Sequence, residues 1–211
     1  MIMISRLKFV ILSLVLIGLS SARAGSYEDF FTAVQRDDPG PVAALLRRGF
    51  DPDSRDPRGQ TGLTLAALHG SWRAVDALLT HPGVDLNALN AAGESVLMLA
   101  ALKGELALCE RLVARGARVQ QPGWAPIHYA ATGPNVRVVE FLLGKGADID
   151  ANSPNGSTAL MLAARYGSEE SVNLLLARGA DATRRNERQL RAADFARLGG
   201  RESLAVRLTR P

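Results

Sequence analysis

The sequence predicts an all-α solenoid of stacked helix-turn-helix units that carry short β-hairpin-like fingers. The first observation is a motif that recurs about every 33 residues, in four copies at residues 61–67, 95–101, 125–131 and 158–164. The second is that each copy is followed by another apolar segment with helical spacing. A unit of this size cannot bury its own apolar stripe, so neighbouring units must stack.

Two helices are predicted in every unit. The first carries paired alanines, such as Ala66 and Ala67, which let adjacent units approach closely. The second presents a Val/Leu stripe and ends at a glycine that supplies the left-handed cap. These glycines are Gly49, Gly83, Gly116, Gly146 and Gly179. Altered copies of the unit at residues 30–46 and 192–196 bring the expectation to about five repeats and a C-terminal cap.

Residues 1–24 are predicted to be a secretory signal peptide. Two basic residues precede an apolar run over 9–19, and Ala22 and Ala24 frame a cleavage site. The run has about half of the ~20 residues that a spanning helix requires. We therefore expect an exported domain of residues 25–211 without membrane insertion after cleavage, periplasmic in a Gram-negative bacterium and secreted otherwise.

Charge and cysteine content narrow the classes of partner. Without the leader the chain has 22 basic and 21 acidic side chains, and eight arginines against three acids fall in residues 182–211. Because acids interrupt this basic end and export separates it from the genome, we expect no nucleic-acid binding. Cys109 is the only cysteine, so an intramolecular disulfide is excluded. It aligns with the core position Val139, which favours an inert buried thiol over a reactive one.

The residue pattern predicts neither catalysis nor a metal site. Nucleophilic catalysis needs a nucleophile beside a base that a third group holds, whereas His69, His81 and His128 belong to different units. The segment Gly144-Lys145-Gly146 lacks the other residues of a phosphate-binding loop and is interpreted as a helix terminator. We expect no enzymatic activity, cofactor or metal. A hydrolase built on this fold, and self-association through the arginine-rich end, are the alternatives from other classes.

The repeats resemble the ankyrin repeat, which reads approximately D-x-x-G-x-T-P-L-H-x-A-A, a second helix, and G-A-D-x-x-A. The best copies are Ala-Pro-Ile-His-Tyr-Ala-Ala at 125–131 and Gly-Ala-Asp-Ile-Asp-Ala at 146–151, and the resemblance covers essentially the whole exported part. One unit departs from the pattern because it lacks three residues between Ala117 and Ile127. Its finger must be short, and its sequence around Gly133 predicts an altered turn between the helices.

The resemblance implies a monomeric module that binds another protein through its concave face and finger tips. Carried over position by position, the partner-binding residues are Leu68, His69, Leu102, Lys103, Thr132, Arg165 and Tyr166 on the concave face and Arg58, Gln60, Glu94 and Asn155 on the fingers. His128 takes the histidine position, where the imidazole hydrogen-bonds the loop backbone. The alternative is a periplasmic inhibitor, immunity or stress-protection protein that binds one specific enzyme.

Two residues have more than one interpretation. Trp124 has no counterpart in the repeat pattern: it either anchors a partner beside the groove or fills the space left by the short finger. The segment Asn155-Gly156-Ser157 matches a glycosylation acceptor, but Asn-Gly is also a hairpin-turn signal. We interpret it as the turn of a finger unless the source is eukaryotic.

Overall fold

The computed structural model describes residues 25–209, so the predicted leader lies outside the described residues. The described part of the chain is helical and confirms the predicted all-α fold. Its helices are α1 (25–35), α2 (Pro39–Arg47), α3 (Gly62–His69), α4 (Trp72–Leu79), α5 (Val96–Lys103), α6 (Leu106–Ala114), α7 (Pro126–Thr132), α8 (Val136–Gly144), α9 (Ala159–Tyr166), α10 (Glu169–Ala177), α11 (Ala192–Leu198) and α12 (Glu202–Thr209).

These helices belong to two compact units that divide between Val84 and Asp85. Unit 1 holds α1–α4 and unit 2 holds α5–α12. No helix among the described residues is long and apolar enough to cross a bilayer. The boundary of the exported domain at residue 25 stays a prediction.

Unit 1 is organised around an aromatic cluster. The fully buried ring of Phe30 lies 5.2 Å from that of Phe31 and 4.5 Å from that of Phe50, measured between centroids. The Asp37 carboxylate, in the turn after α1, accepts a hydrogen bond of 2.8 Å from the Ala74 amide in α4. This bond satisfies one of the amides that a helix leaves free in its first turn, and it ties the two helix pairs of the unit together.

Unit 2 has two layers of helices. The first helices α5, α7, α9 and α11 pack each against the next, and the second helices α6, α8 and α10 do the same behind them. The predicted anchors Leu97, Ile127 and Leu160 are buried in the first layer, as are Leu112 and Leu142 in the second. The apolar stripe of each repeat is therefore covered by its neighbours, as the period of the sequence predicts.

The glycine caps are confirmed with one exception. Gly116, Gly146 and Gly179 have φ values of 95°, 87° and 90°, in the left-handed region. The prediction is wrong for Gly83, because α4 already ends at Leu79. Thr80 then continues the turn in a right-handed conformation, and its hydroxyl donates to the Ala77 carbonyl at 2.6 Å. The chain passes through His81 and Pro82 before Gly83 is reached.

The fingers share one hydrogen-bonding scheme. In the first finger of unit 2, the Asn90 amide donates to the Glu94 carbonyl at 2.9 Å, and Asn90 Oδ1 accepts from the Ala92 and Glu94 amides, both at 2.9 Å. Asp56 and Asn186 close their fingers in the same way. A single polar residue at the base thus holds each of these loops, with no strand ladder required.

The short finger of residues 119–124 is attached through its side chains. Gln121 Nε2 donates to the Gly93 carbonyl of the preceding finger at 3.4 Å, and Gln120 Nε2 donates to the Gly146 carbonyl that follows α8. This arrangement confirms the shortening that the sequence predicts. The two glutamines connect the short finger to both of its neighbours.

The turn at Gly133 differs from that at Gly104, as predicted, but not from that at Gly167, for which the prediction is wrong. Gly104 is left-handed with φ of 78°, whereas Gly133 is extended with φ of −75°. Gly167 is extended too, which the sequence motif does not predict. Only glycine fits at position 167, since an added Cβ would lie 2.1 Å from the Ala131 carbonyl oxygen.

Arg201 closes the C-terminal end of α9. Its Nη1 donates to the carbonyls of Ala163, Ala164 and Gly167 at 3.1, 3.1 and 2.9 Å. The last carbonyls of a helix have no partner within the helix and carry partial negative charge, so a guanidinium is a favourable cap. The terminal pair α11 and α12 therefore contributes a polar clasp as well as a packing surface.

Gly167→Ala is expected to destabilise unit 2 by about 1–3 kcal/mol, because its methyl group would collide with the backbone of Ala131. Urea unfolding followed by circular dichroism measures the change. Gly144→Ala is the matched control: apart from its chain neighbours and the backbone of α8, no atom lies within 4 Å of the added Cβ, so this change is expected to be neutral or stabilising by up to about 1 kcal/mol. Equal destabilisation by the two variants would contradict a spacing set by close backbone approach.

Candidate functional site

One apolar pocket of about 240 Å³ opens on the first-helix layer of unit 2. Its lining residues, which define the aromatic pocket, are Leu102, Trp124, His128, Tyr129, Thr132, Leu162 and Tyr166. Leu102 comes from α5, Thr132 from α7 and Tyr166 from α9, so three repeats build one concavity. Of the predicted site residues, the structure brings Leu102, Trp124, Thr132 and Tyr166 together here.

Trp124 forms the wall beside the short finger. Its ring packs edge-on against His128, with centroids 5.5 Å apart, and against Tyr129 at 6.2 Å. The side chain is half-buried, so it fills part of the space that the missing residues leave and also faces the pocket. The two interpretations of Trp124 are compatible in this geometry. Its contact with a partner stays a prediction.

Tyr129 connects the pocket to the first finger of unit 2. Its hydroxyl donates to Glu94 Oε1 at 3.0 Å, and Glu94 Oε2 accepts from Asn90 Nδ2 at 2.8 Å. Burial, and then the Glu94 charge, raise the pKa of the phenol, so it stays protonated and keeps donating. Glu94 was predicted to contact a partner, and the structure shows that its carboxylate orients a pocket residue.

The sequence reasoning did not select Tyr129 or Leu162. Tyr129 lies three residues before Thr132, and Leu162 lies four residues before Tyr166. Residues at these spacings share one face of a helix. Helical spacing from the predicted positions was therefore the signal that could have found both.

Cationic side chains stand next to two of the exposed pocket residues. Tyr166 is 58% exposed, and the Arg165 guanidinium lies 4.8 Å from its ring centroid. Such a contact stabilises a cation over an aromatic face. Lys103 is exposed and follows Leu102 directly in α5. The exposed apolar surface is thus accompanied by positive charge.

His128 has a structural role at the floor of the pocket. Its Nδ1 accepts from the Ala125 amide at 3.0 Å, which leaves Nε2–H to donate to the Ala151 carbonyl at 2.9 Å. Burial lowers the pKa of the imidazole, against the effect of these backbone hydrogen bonds. Both ring nitrogens are engaged with the loop backbone, as the resemblance implies, so the neutral ring joins α7 to the following finger.

Lowering the pH is expected to destabilise unit 2 through His128. Because the folded pKa lies below the ordinary value of 6.5, the unfolded chain takes up the proton more readily, and the contribution present above that value is lost as the pH falls. Urea unfolding at about pH 7.5 and about pH 5 tests this. His128→Gln, which cannot titrate in this range, is expected to lose less stability over the same interval. An equal decline in both proteins would contradict it.

The predicted residues of unit 1 do not line this pocket. Leu68 is 40% exposed and His69 is exposed at the end of α3. Arg58 lies at the tip of its finger beside a surface groove that Tyr27 also lines. Gln60 donates its backbone amide to Asp56 at 2.8 Å, while its buried Oε1 lacks a hydrogen-bond partner among the described residues.

Asn155 closes its own turn in unit 2. Its Oδ1 accepts from Ser153 Oγ at 2.8 Å and from the Ser157 amide at 3.2 Å, and Gly156 is left-handed with φ of 74°. Ser157 is buried and its hydroxyl accepts from Asn186 Nδ2 at 3.1 Å. The turn interpretation is therefore confirmed, and the serine of the acceptor motif belongs to the packing between fingers.

The core position predicted for Cys109 is confirmed. The thiol is fully buried, and its pKa is raised to about 12 by burial and by the nearby charge of Glu105. A thiol in this state carries almost no thiolate at neutral pH. Within residues 25–209, no group of three His, Cys, Asp or Glu side chains is placed to hold a metal ion.

The family profile described as ankyrin repeats, three copies, matches residues 30–122 and 97–186. The chain belongs to the ankyrin-repeat family. Ankyrin repeats are in general non-catalytic modules that bind other proteins, so the recognised motifs and the helical solenoid lead to protein binding.

Related ankyrin-repeat proteins are found in bacteria and animals. The chain is 30% identical over 183 residues to an ankyrin repeat-containing protein of Treponema pallidum (strain Nichols), which covers 82% of this chain and 59% of the relative. It is 32% identical over 155 residues to a B-cell lymphoma 3 protein homolog of Mus musculus, covering 70% of this chain and 35% of that protein. The chain thus spans only part of the length of these relatives.

This chain matches a solved structure over nearly the full length of that structure. It is the immunity protein in a complex with a predatory endopeptidase from Bdellovibrio bacteriovorus. The match has a TM-score of 0.72 and 28% sequence identity, and it covers 86% of this chain and 96% of that chain.

Proposed function

We propose that this ankyrin-repeat protein inhibits one specific exported enzyme by binding it through the aromatic pocket. It acts in the periplasm of a Gram-negative cell, or as a secreted protein elsewhere, and it performs no catalysis itself. The pocket is the observation that carries the proposal. A more general scaffold, which binds a protein without inhibiting it, is the alternative within the same class.

The size and lining of the pocket support a protein ligand. At about 240 Å³ it lies below the range of roughly 300–1,000 Å³ that is usual for small-molecule sites. A pocket of this size suits one large apolar side chain. Trp and Tyr, with Arg beside them, are the residue types that dominate binding energy in protein interfaces, and Trp124, Tyr166 and Arg165 supply all three.

The rigidity of the surroundings supports tight binding. The pocket residues Tyr129 and His128 are fixed by hydrogen bonds to Glu94 and to the loop backbone. The short finger ends at Trp124, and Gln121 connects it to the preceding finger. A surface that is already ordered loses little conformational entropy on association. Preorganisation of this kind is what an inhibitor of a single enzyme requires.

The enzyme as partner is supported by the solved relative and by the predicted leader. The relative is an immunity protein bound to an endopeptidase, which is a binding protein of similar fold directed at an enzyme. An enzymatic role for the chain itself has less support. His128 uses both ring nitrogens for backbone hydrogen bonds, and the pKa of Cys109 is about 12.

Retention of a partner on immobilised protein tests the site. A chain of residues 25–211 is expected to retain one protein from an extract of the source's periplasm, and Trp124→Ala/Tyr166→Ala is expected to lose it. Truncating two anchors costs about 2 kcal/mol or more each. Mass spectrometry identifies the retained protein, and a titration against its activity shows inhibition.

Val206→Ala is the matched control for that experiment. Val206 is an exposed apolar residue of α12, 42% accessible, and does not line the pocket. The control and the pocket variant must both unfold at the temperature of the parent. Equal retention by all three proteins would move the site away from the pocket, and a retained enzyme that keeps full activity would favour the scaffold.

Cleavage of the leader is expected to leave Gly25 as the first residue. Expression of the full-length sequence in a Gram-negative host, followed by osmotic shock, should release the protein with the mass of residues 25–211. Ala24→Asp places a charge in the cleavage site and is expected to leave the leader attached. A full-length protein that remains in the cytoplasm would contradict export.

A further inference from the structure

We propose that a second docking element, the finger of residues 181–191, binds a pair of carboxylates on the surface of the protein partner. This finger is termed the arginine finger. The inference rests on the proposed function, because it adds the chemistry of the surface that the partner turns toward this loop. The finger contains Arg184, Arg185, Arg188 and Arg191, with the acids Asp181 at its start and Glu187 at its tip. Arg188 and Arg191 carry the inference.

Arg184 and Arg185 are engaged within the fold, and the charge of Arg184 also acts on the Asp181 carboxylate. Arg184 Nη2 donates to Asn152 Oδ1 at 3.3 Å, and Arg185 Nη1 donates to the Gln189 carbonyl at 2.7 Å. Arg188 and Arg191 are exposed, and their guanidinium groups make no hydrogen bond or ion pair within the part of the chain that the structure describes. The finger therefore presents two uncommitted guanidinium groups.

The arginines of the terminal helices differ because acids or carbonyls neutralise them. Arg197 lies 3.1 Å from an Asp194 oxygen and 3.5 Å from Glu202. Arg207 lies 3.4 Å from Glu169, and Arg201 caps α9 as described above. The arginines of α11 and α12 are thus paired within the fold, whereas Arg188 and Arg191 of the arginine finger are not.

The arginine finger has a residue with a side chain at a left-handed backbone position that is glycine in other fingers. Gln189 has φ of 60°, at the position where other fingers have Gly59, Gly93 and Gly156 with φ of 76°, 76° and 74°. A residue with a Cβ in the left-handed region costs about 1–2 kcal/mol. The Gln189 amide offsets part of this cost by donating to the Asn186 carbonyl at 2.8 Å, and the bond from Arg185 holds its carbonyl.

The arginine finger is also fastened to the finger before it. Asn186 Nδ2 donates to Ser157 Oγ at 3.1 Å, and the Glu187 amide donates to the Asn155 carbonyl at 3.1 Å. The Cα positions of Arg188 and Arg191 are therefore fixed relative to α9, and only the side chains must be ordered when a ligand binds. That lowers the entropic cost of the contact.

The number of free guanidinium groups indicates a protein surface rather than a polyanion. Nucleic-acid binding typically neutralises about 6–10 phosphates, and recognition of anionic membranes uses clusters of about 4–8 basic residues. The two free guanidinium groups of Arg188 and Arg191, with the acid Glu187 directly before Arg188 in the sequence, provide neither. Each matches one carboxylate in a bidentate pair, so two Asp or Glu side chains of a folded partner are the ligand that fits.

The test uses a fluorescein-labelled peptide of about ten alternating Glu and Ser residues, measured by fluorescence anisotropy at low ionic strength. The parent is expected to bind the peptide, with an affinity that falls as salt is added. Arg188→Gln/Arg191→Gln is expected to weaken binding about fivefold. Arg47→Gln/Arg48→Gln removes the same charge from two exposed positions, the last residue of α2 and the residue after it, and is expected to leave the affinity unchanged.

Three results would overturn the inference: no binding of the peptide, equal loss in the two double variants, or tighter binding of single-stranded DNA or anionic vesicles through the same arginines. The Trp124→Ala/Tyr166→Ala protein separates this inference from the proposed function, because it should bind the peptide normally. Peptide binding without retention of any enzyme would reject the proposed function alone. If the protein retains an enzyme but does not bind the peptide, the proposed role of the arginine finger alone is rejected.

Discussion

Backbone approaches backbone where consecutive first helices of unit 2 meet, and the positions of the surrounding groups follow from that contact. An added Cβ would lie 2.8 Å from the Ala101 carbonyl oxygen at Gly133, 2.1 Å from that of Ala131 at Gly167, and 2.7 Å from that of Arg165 at Gly199. The same contact thus recurs at three successive interfaces. Since the walls of the aromatic pocket come from α5, α7 and α9, the spacing of these helices also sets its width.

The two proposed docking elements contribute to association in different ways. The aromatic pocket removes apolar surface from water once the partner is seated, which chiefly affects how long the complex lasts. Exposed charges such as Arg188 act over longer distances and chiefly affect how often productive encounters occur, with a dependence on salt. Placing both in unit 2 gives one module a long-range and a short-range means of selecting its partner.

The sequence predicts the repeat architecture well because its period is a physical requirement of stacking. Leu97, Ile127 and Leu160 had to be buried so that each repeat covers the next. Details that depend on distant contacts were beyond its reach. The hydrogen bond from Tyr129 to Glu94 joins residues in different repeats, and the requirement for glycine at position 167 comes from the carbonyl of Ala131. The motif of one repeat contains neither the Glu94 that Tyr129 contacts nor the Ala131 that Gly167 approaches. It could therefore predict the positions of these residues but not their roles.

The side chains at the finger tips contribute little to the stability of the fold, because residues at the base of each finger close the loop. In the fingers that begin at Asp56, Asn90 and Asn186, the base residue makes the side-chain bonds to backbone amides that close the loop, whereas tip residues such as Arg58 and Arg188 are exposed. A change of tip side chain therefore costs the helical stack little. A few substitutions at these tips can change the binding surface while the scaffold stays intact, so related chains can share the fold and differ in what they bind.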